Sequence, residues 1–149
     1  MRVFIVILGL VFVLCSPHST IASEVGVGVF KTIKGPVFIE RNKEVTPAKV
    51  GDKLFEKDVI VTGKSGSMGA ILRDNSILSA GSNTRLTISE FVFEPAEKKL
   101  SGIVQVKRGT ITYLTGLMAK LNSKAIRFMT PTAVCGIRGT HFAIKVEDE

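Results

Sequence analysis

The sequence predicts an all-β fold, a two-layer sandwich or roll of short antiparallel strands with at most one or two short helical turns. Two features of the chain carry this prediction. From Val25 onward, short apolar stretches are broken by turn residues at intervals of about 8 to 12 residues, the spacing of sandwiches and barrels. Stretches such as Ile103-Val104-Gln105-Val106 and Thr110-Ile111-Thr112-Tyr113-Leu114 are rich in β-branched residues, whose side chains suit a pleated, half-buried surface. Only Leu117-Met118-Ala119-Lys120-Leu121 favours a helix, and it is long enough for one or two turns.

The chain has 149 residues, 45% of them apolar, which is the size of one domain with a core that needs no cofactor or metal. Its first segment reads differently. Met1-Arg2 is followed by Val3 to Leu14, uncharged and apolar apart from Gly9, a stretch shorter than the roughly 20 residues of a spanning helix. Small residues in Thr20-Ile21-Ala22 complete a signal-peptide pattern. Residues 1–22 are therefore expected to be a leader cleaved near Ala22, and residues 23–149 the domain, with no transmembrane segment in the mature chain and a periplasmic or secreted location. Cys15 is preceded by Leu14 and, two positions earlier, Phe12, too large for a lipidation signal. Without the leader, Cys135 is the only cysteine. No internal disulfide is then available, and Cys135 is expected to be a buried small hydrophobe.

Taken in order, Val27 to Ile33 and Pro36 to Arg41 read as strands flanking Lys34-Gly35, and Arg41-Asn42-Lys43-Glu44 as a polar turn. Val50-Gly51-Asp52-Lys53-Leu54 leads into a strand at Val59 to Thr62. Met68 to Leu72, Ser76 to Ala80 and Thr84 to Phe93 follow, separated by Arg73-Asp74-Asn75 and Gly81-Ser82-Asn83. In the last of these the apolar positions change from Leu86 and Ile88 to Phe91 and Phe93, predicting a bulge or bend near Glu90. Glu94 to Lys99 is the most loop-like segment. Arg108-Gly109 predicts a hairpin between the two β-branched stretches around it, and Ala125 to Met129 and His141 to Val146 supply the final strands.

The basic excess, 20 Lys and Arg against 13 Asp and Glu for a formal charge of +7, raises the question of nucleic acid. The cations are scattered, with no run longer than Lys98-Lys99 or Lys107-Arg108, and one tyrosine with no tryptophan leaves little aromatic surface for stacking bases, so no nucleic-acid partner is expected. Gly63-Lys64-Ser65 is not a phosphate loop, because Asp58 stands where its first glycine belongs. His141 is the only histidine outside the leader, which leaves no histidine triad or multi-histidine metal site. Carboxylate pairs such as Glu56 with Asp58 read as charged turns rather than a glycosidase site. No cofactor, metal or catalytic residue is expected.

The segment around which the chain is organised is Thr130-Pro131-Thr132-Ala133-Val134-Cys135-Gly136-Ile137-Arg138-Gly139-Thr140-His141-Phe142-Ala143-Ile144. Pro131, Gly136 and Gly139 weaken a helix, and the run reads as two short strands around a glycine-hinged bend. Gly136 and Gly139 are expected to allow the bend, and Thr130 and Thr140 to hold it by local hydrogen bonds. Arg138 either donates to neighbouring carbonyls and carboxylates or faces an anionic partner, and the first role is the expected one. The run resembles the T-P-x-A-x-x-G-x-R-G-T-x-F signature of the FecR family. Val50 to Leu54 with Asp58 to Thr62, Ser67 to Ser76, and Lys107 to Gly116 are similar to the family's earlier segments in the same order.

The resemblance implies a periplasmic all-β module without enzyme activity, with Thr130, Pro131, Gly136, Arg138, Gly139, Thr140 and Phe142 as a structural or partner-binding motif. In the best-known regulators of this family, of iron-siderophore uptake, the domain receives a signal from an outer-membrane receptor and passes it through a membrane helix to an anti-sigma segment. On this reading the present chain is expected to depart from that plan, with neither a spanning helix nor a receptor-contacting domain after Ile144. The expected function is recognition of another envelope protein by a sheet edge or hairpin. The alternative is a structural or carbohydrate- or peptidoglycan-associated module. No motif specifies the partner or the oligomeric state.

Overall fold

The computed structural model describes residues 25–138 and 141–147, so the expected leader lies outside the described residues. Among these the chain forms β1 (Gly28–Lys34), β2 (Val37–Arg41), β3 (Glu44–Pro47), β4 (Lys53–Leu54), β5 (Val59–Thr62), β6 (Ser67–Leu72), β7 (Ile77–Ala80), β8 (Arg85–Glu94), β9 (Lys99–Leu114), α1 (Leu117–Leu121), β10 (Ile126–Met129), β11 (Val134–Gly136) and β12 (His141–Val146). The all-β prediction holds. The strands belong to one curled sheet, and β9 is the strand shared by its two layers. The first half of β9 pairs with β8 and β10, and the second half with β7 and β12.

One layer therefore runs β3-β2-β5-β8-β9-β10-β11 and the other β4-β1-β6-β7-β9-β12. All pairs are antiparallel except β9 with β10, where the chain returns through α1, as a parallel connection requires.

The hairpin expected at Arg108-Gly109 is not formed, because β9 passes through that point unbroken. Its inward positions change parity there, from Gly102, Val104 and Val106 to Ile111 and Tyr113. A register shift against β8 absorbs the change, with Leu86 opposite Val106 but Arg85 opposite Arg108. Gly109 has φ +92°, and a Cβ there would collide with Thr84, so this glycine bends the strand rather than reversing it. Threonines pin the corner. The Thr84 hydroxyl accepts the Thr110 N–H at 3.1 Å, and Thr62 Oγ1 accepts the Thr84 N–H at 2.8 Å while donating to the Gly81 carbonyl at 2.6 Å.

Other local predictions are met. Asn42 and Lys43 take left-handed φ values of 51° and 69°, the geometry of a tight two-residue hairpin turn. The bulge in β8 falls between Ile88 and Glu90. The loop-like Glu94 to Lys99 is tighter than expected, a single 3-10 turn at Pro95–Glu97 that joins β8 directly to β9. β3 was not foreseen, since its four residues are all exposed and end in Pro47, an edge-strand composition.

Between the layers lie Phe30, Ile60, Leu78, Leu86, Ile88, Ile111, Tyr113 and Phe128, each at most 1% exposed. Near one end of this core sits a fully buried carboxylate. Asp74 accepts hydrogen bonds from the Ser76 N–H at 3.1 Å, the Ser76 hydroxyl at 2.6 Å and the Met118 N–H at 3.3 Å. Its own carbonyl accepts the Leu117 N–H at 2.7 Å. The turn before β7 thereby supplies the cap that α1 lacks in its own sequence, where Gly116 offers no side chain.

Candidate functional site

The terminal segment places its residues on the adjoining edges of the two layers. β11 ends the first layer beside β10 and β12 ends the second beside β9, and neither has a further strand neighbour among the described residues. Thr130 opens the segment with a tight turn. Its N–H donates to the Ala133 carbonyl at 2.8 Å, and its hydroxyl accepts the Ala133 N–H at 3.0 Å, with Pro131 exposed between them.

Pairing then sorts the side chains by face. Phe128 stands opposite Cys135, and Arg127 and Met129 stand opposite Gly136 and Val134. Phe128 is buried between the layers, so Cys135 faces inward too. Cys135 is nevertheless exposed, contrary to the expectation of a buried hydrophobe, because β11 lies past the edge of the core and none of its residues is buried by a described residue. In β12, Phe142, Ile144 and Val146 face inward and pack on the core, while His141, Ala143 and Lys145 face out.

Phe142 fastens this edge. Its ring lies 5.7 Å from Tyr113 and 4.8 Å from Phe128, and those two rings are 5.1 Å apart. The three rings, from β12, β9 and β10, join the layers by edge-to-face and tilted contacts. Burial pushes the Tyr113 phenol well above its ordinary value near 10, against the opposing influence of the Ser76 hydrogen bond.

Two hollows flank the segment. Between the inward faces of β11 and β12 is an open crevice of about 550 Å³, lined by Lys107, Pro131, Ala133, Cys135, Ile144 and Val146. At its rim the Lys145 ammonium donates to Glu147 at 2.7 Å. That hydrogen bond holds the Glu147 carboxyl below the usual carboxylate range and raises the Lys145 ammonium. On the outer face of β10 and β11 is a second hollow of about 390 Å³, where Lys124, Arg127 and Arg138 gather around Val134, Gly136 and Ile137.

The structure separates the predicted residues by role. Thr130, Pro131 and Phe142 shape the turn and the edge, whereas Gly136 and Arg138 line the outer hollow. Arg138 is exposed and makes no hydrogen bond to a described residue, so the expected structural pairing is not found among them. Gly136 is the last residue of β11, outside the left-handed region, with nothing within 4 Å of where a Cβ would stand. Gly139 and Thr140 lie outside the described residues. Sequence reasoning missed Lys107, Lys124, Arg127, Ile144 and Val146 as lining residues. Arg127 was within reach, since it alternates with the buried Ile126 and Phe128 and so had to face outward.

A family model described as "FecR protein" matches residues 58–149. The chain belongs to the FecR family. The match takes in β5 through β12, and hence both edges and both hollows. No curated protein matches the chain. Among solved structures, one described as "Cell surface anchoring domain" is similar at 23% identity, covering 42% of this chain and 84% of that one, with a TM-score of 0.41. FecR proteins form a signalling and regulatory family. No helix among the described residues of this FecR domain is long and apolar enough to cross a membrane.

Proposed function

We propose that this FecR domain is a non-enzymatic binding and signalling module of the periplasm. In this reading it recognises an extended segment of another envelope protein along the free edge of β12. One observation carries the reading: the family's terminal motif builds two adjoining strand edges without strand neighbours among the described residues, with the crevice between them. A free edge offers a row of backbone donors and acceptors to an added strand, and a crevice beside it selects alternate side chains. Ile144, Val146, Pro131 and Ala133 suit an apolar side chain there, and Lys107 at the rim favours an acidic neighbour, since Lys145 is already paired with Glu147. The large apolar residues exposed among the described residues, such as Val45, Leu121 and Val134, include no aromatic ring on which a sugar would stack, which favours protein over carbohydrate.

The test is in-cell crosslinking of the tagged, exported protein, with the captured material identified and Cys135→Arg as the comparison. Arginine at this exposed position fills the crevice without disturbing the core. Capture of an envelope protein that is lost in folded Cys135→Arg supports the proposal. Capture of wall polysaccharide alone, or of the same protein by both forms, refutes it.

A further inference from the structure

The outer hollow plays no part in strand addition, and its chemistry points elsewhere. Three cations reach it from three segments: Lys124 from the turn before β10, Arg127 from β10 and Arg138 from the chain leaving β11. No acidic residue lines it. No side chain of the three has a hydrogen-bond or ion-pair partner among the described residues. Two arginines elsewhere among the described residues, Arg41 and Arg85, are neutralised by carboxylates. Arg41 holds Asp58 in a bidentate pair at 2.7 Å, and Arg85 holds Glu40 with two hydrogen bonds.

The glycine is the second observation. Gly136 stands opposite Arg127 across the strand pair, and neither its backbone conformation nor its surroundings call for glycine. Any side chain at that position would project into the hollow. A glycine that the fold does not require, at the floor of a pocket ringed by cations, lets a ligand approach the backbone closely. Val134 and the buried Ile137 form apolar walls, which reduce the solvent screening of the charges.

We propose that this hollow binds a phosphoryl group, held by Arg127, Arg138 and Lys124 over Gly136. A planar carboxylate is saturated by one arginine fork, whereas a tetrahedral dianion accepts donors converging from several directions. The group is carried either by a soluble phosphate or phosphate ester, or by the headgroup of an anionic lipid.

The experiment titrates the purified protein with inorganic phosphate at low ionic strength, following backbone amide resonances. In parallel it measures flotation with vesicles of phosphatidylglycerol and phosphatidylcholine in equal parts, and of phosphatidylcholine alone. The variants are Arg127→Ala, Arg138→Ala and Gly136→Val, with Lys145→Ala as a control that removes one charge outside the hollow. Saturable shifts centred on Arg127, Gly136 and Ile137 are expected. Each arginine variant should weaken binding about tenfold, the loss of one hydrogen bond between charged groups, and Lys145→Ala by less than about twofold. Gly136→Val should keep the wild-type melting temperature and lose binding. Flotation with the phosphatidylglycerol vesicles alone, lost in the same variants, assigns the lipid headgroup, and a phosphate response without flotation assigns a soluble ester. The proposal is overturned if these amides give no saturable response to phosphate and the protein does not float. It is also overturned if Lys145→Ala weakens binding as much as the arginine variants, or if folded Gly136→Val binds normally.

Discussion

Replacing Asp74 with alanine removes the acceptor of three hydrogen bonds in a part of the protein that water does not reach. The Ser76 N–H, the Ser76 hydroxyl and the Met118 N–H all lose their partner, and Asp74 is 0% exposed. An unsatisfied buried donor costs about 1–3 kcal/mol. The Ser76 hydroxyl can turn towards another acceptor and the Met118 bond is long, so each loss belongs at the low end and the sum is about 3–4 kcal/mol. That is a large share of the roughly 5–15 kcal/mol of a typical domain, and at about 4 °C per kcal/mol the melting temperature falls by about 12–16 °C. Urea and thermal unfolding of the purified wild-type, Asp74→Ala and Asp74→Asn proteins provide the measure. Asparagine keeps one carbonyl acceptor and should fall between the other two. A loss below about 1 kcal/mol for Asp74→Ala would show that this carboxylate does not tie α1 to the turn before β7.

Three further outcomes follow from the same geometry. Gly109→Ala meets both a left-handed backbone and a collision with Thr84, and unfolding in urea should show a loss of at least about 2 kcal/mol; near-wild-type stability would mean that β9 turns its corner without this glycine. Tyr113 is the only tyrosine and there is no tryptophan, so near-ultraviolet absorbance reports its ionisation alone. The folded phenol titrates above its ordinary value while the unfolded one does not, so the unfolded state releases its proton first; stability is fully present below about pH 10 and declines above it, and a folded protein that ionises at the ordinary value contradicts the buried aromatic group. Phe142→Ala removes a ring that contacts both Tyr113 and Phe128 and should cost about 2–3 kcal/mol, less than the usual range for a buried phenylalanine because the ring is only half-buried; hydrogen exchange should accelerate in β12 before the remaining strands, and uniform acceleration would argue against an edge fastened by this ring.

Much of this architecture was legible in the chain because period-two alternation and turn chemistry are local properties. The bulge near Glu90 was visible as a change from Leu86 and Ile88 to Phe91 and Phe93, and the Asn42-Lys43 turn as a polar break. At Arg108-Gly109 the same local signals misled. A glycine after a charged pair, with a parity change across it, fits a hairpin and a bent strand equally well, and only the different partners of the two halves of β9 decide between them. Cys135 is exposed for a similar reason, because alternation gives its face but not how far β11 extends past the core. The site was legible as a motif but not as a surface. Thr130, Pro131, Gly136, Arg138 and Phe142 belong to one short run of sequence, yet they divide between a turn, an outer hollow and an aromatic fastening. Lys107, Ile144 and Val146 complete the crevice from strands whose adjacency is a property of the whole sheet.

Site-resolved photocrosslinking in the exporting cell tests recognition along β12 most directly. A photoreactive residue is placed at Ala143 or Lys145 on the outward side of β12, at Pro131 on the crevice rim, and at Val45 on β3, the edge at the opposite end of the first layer. The proposed function predicts an adduct with one and the same envelope protein from Ala143, Lys145 and Pro131, and none from Val45. Adducts formed equally from Val45, or from none of the β12 and rim positions while the whole protein still captures its partner, would place recognition elsewhere on the molecule and contradict the proposal.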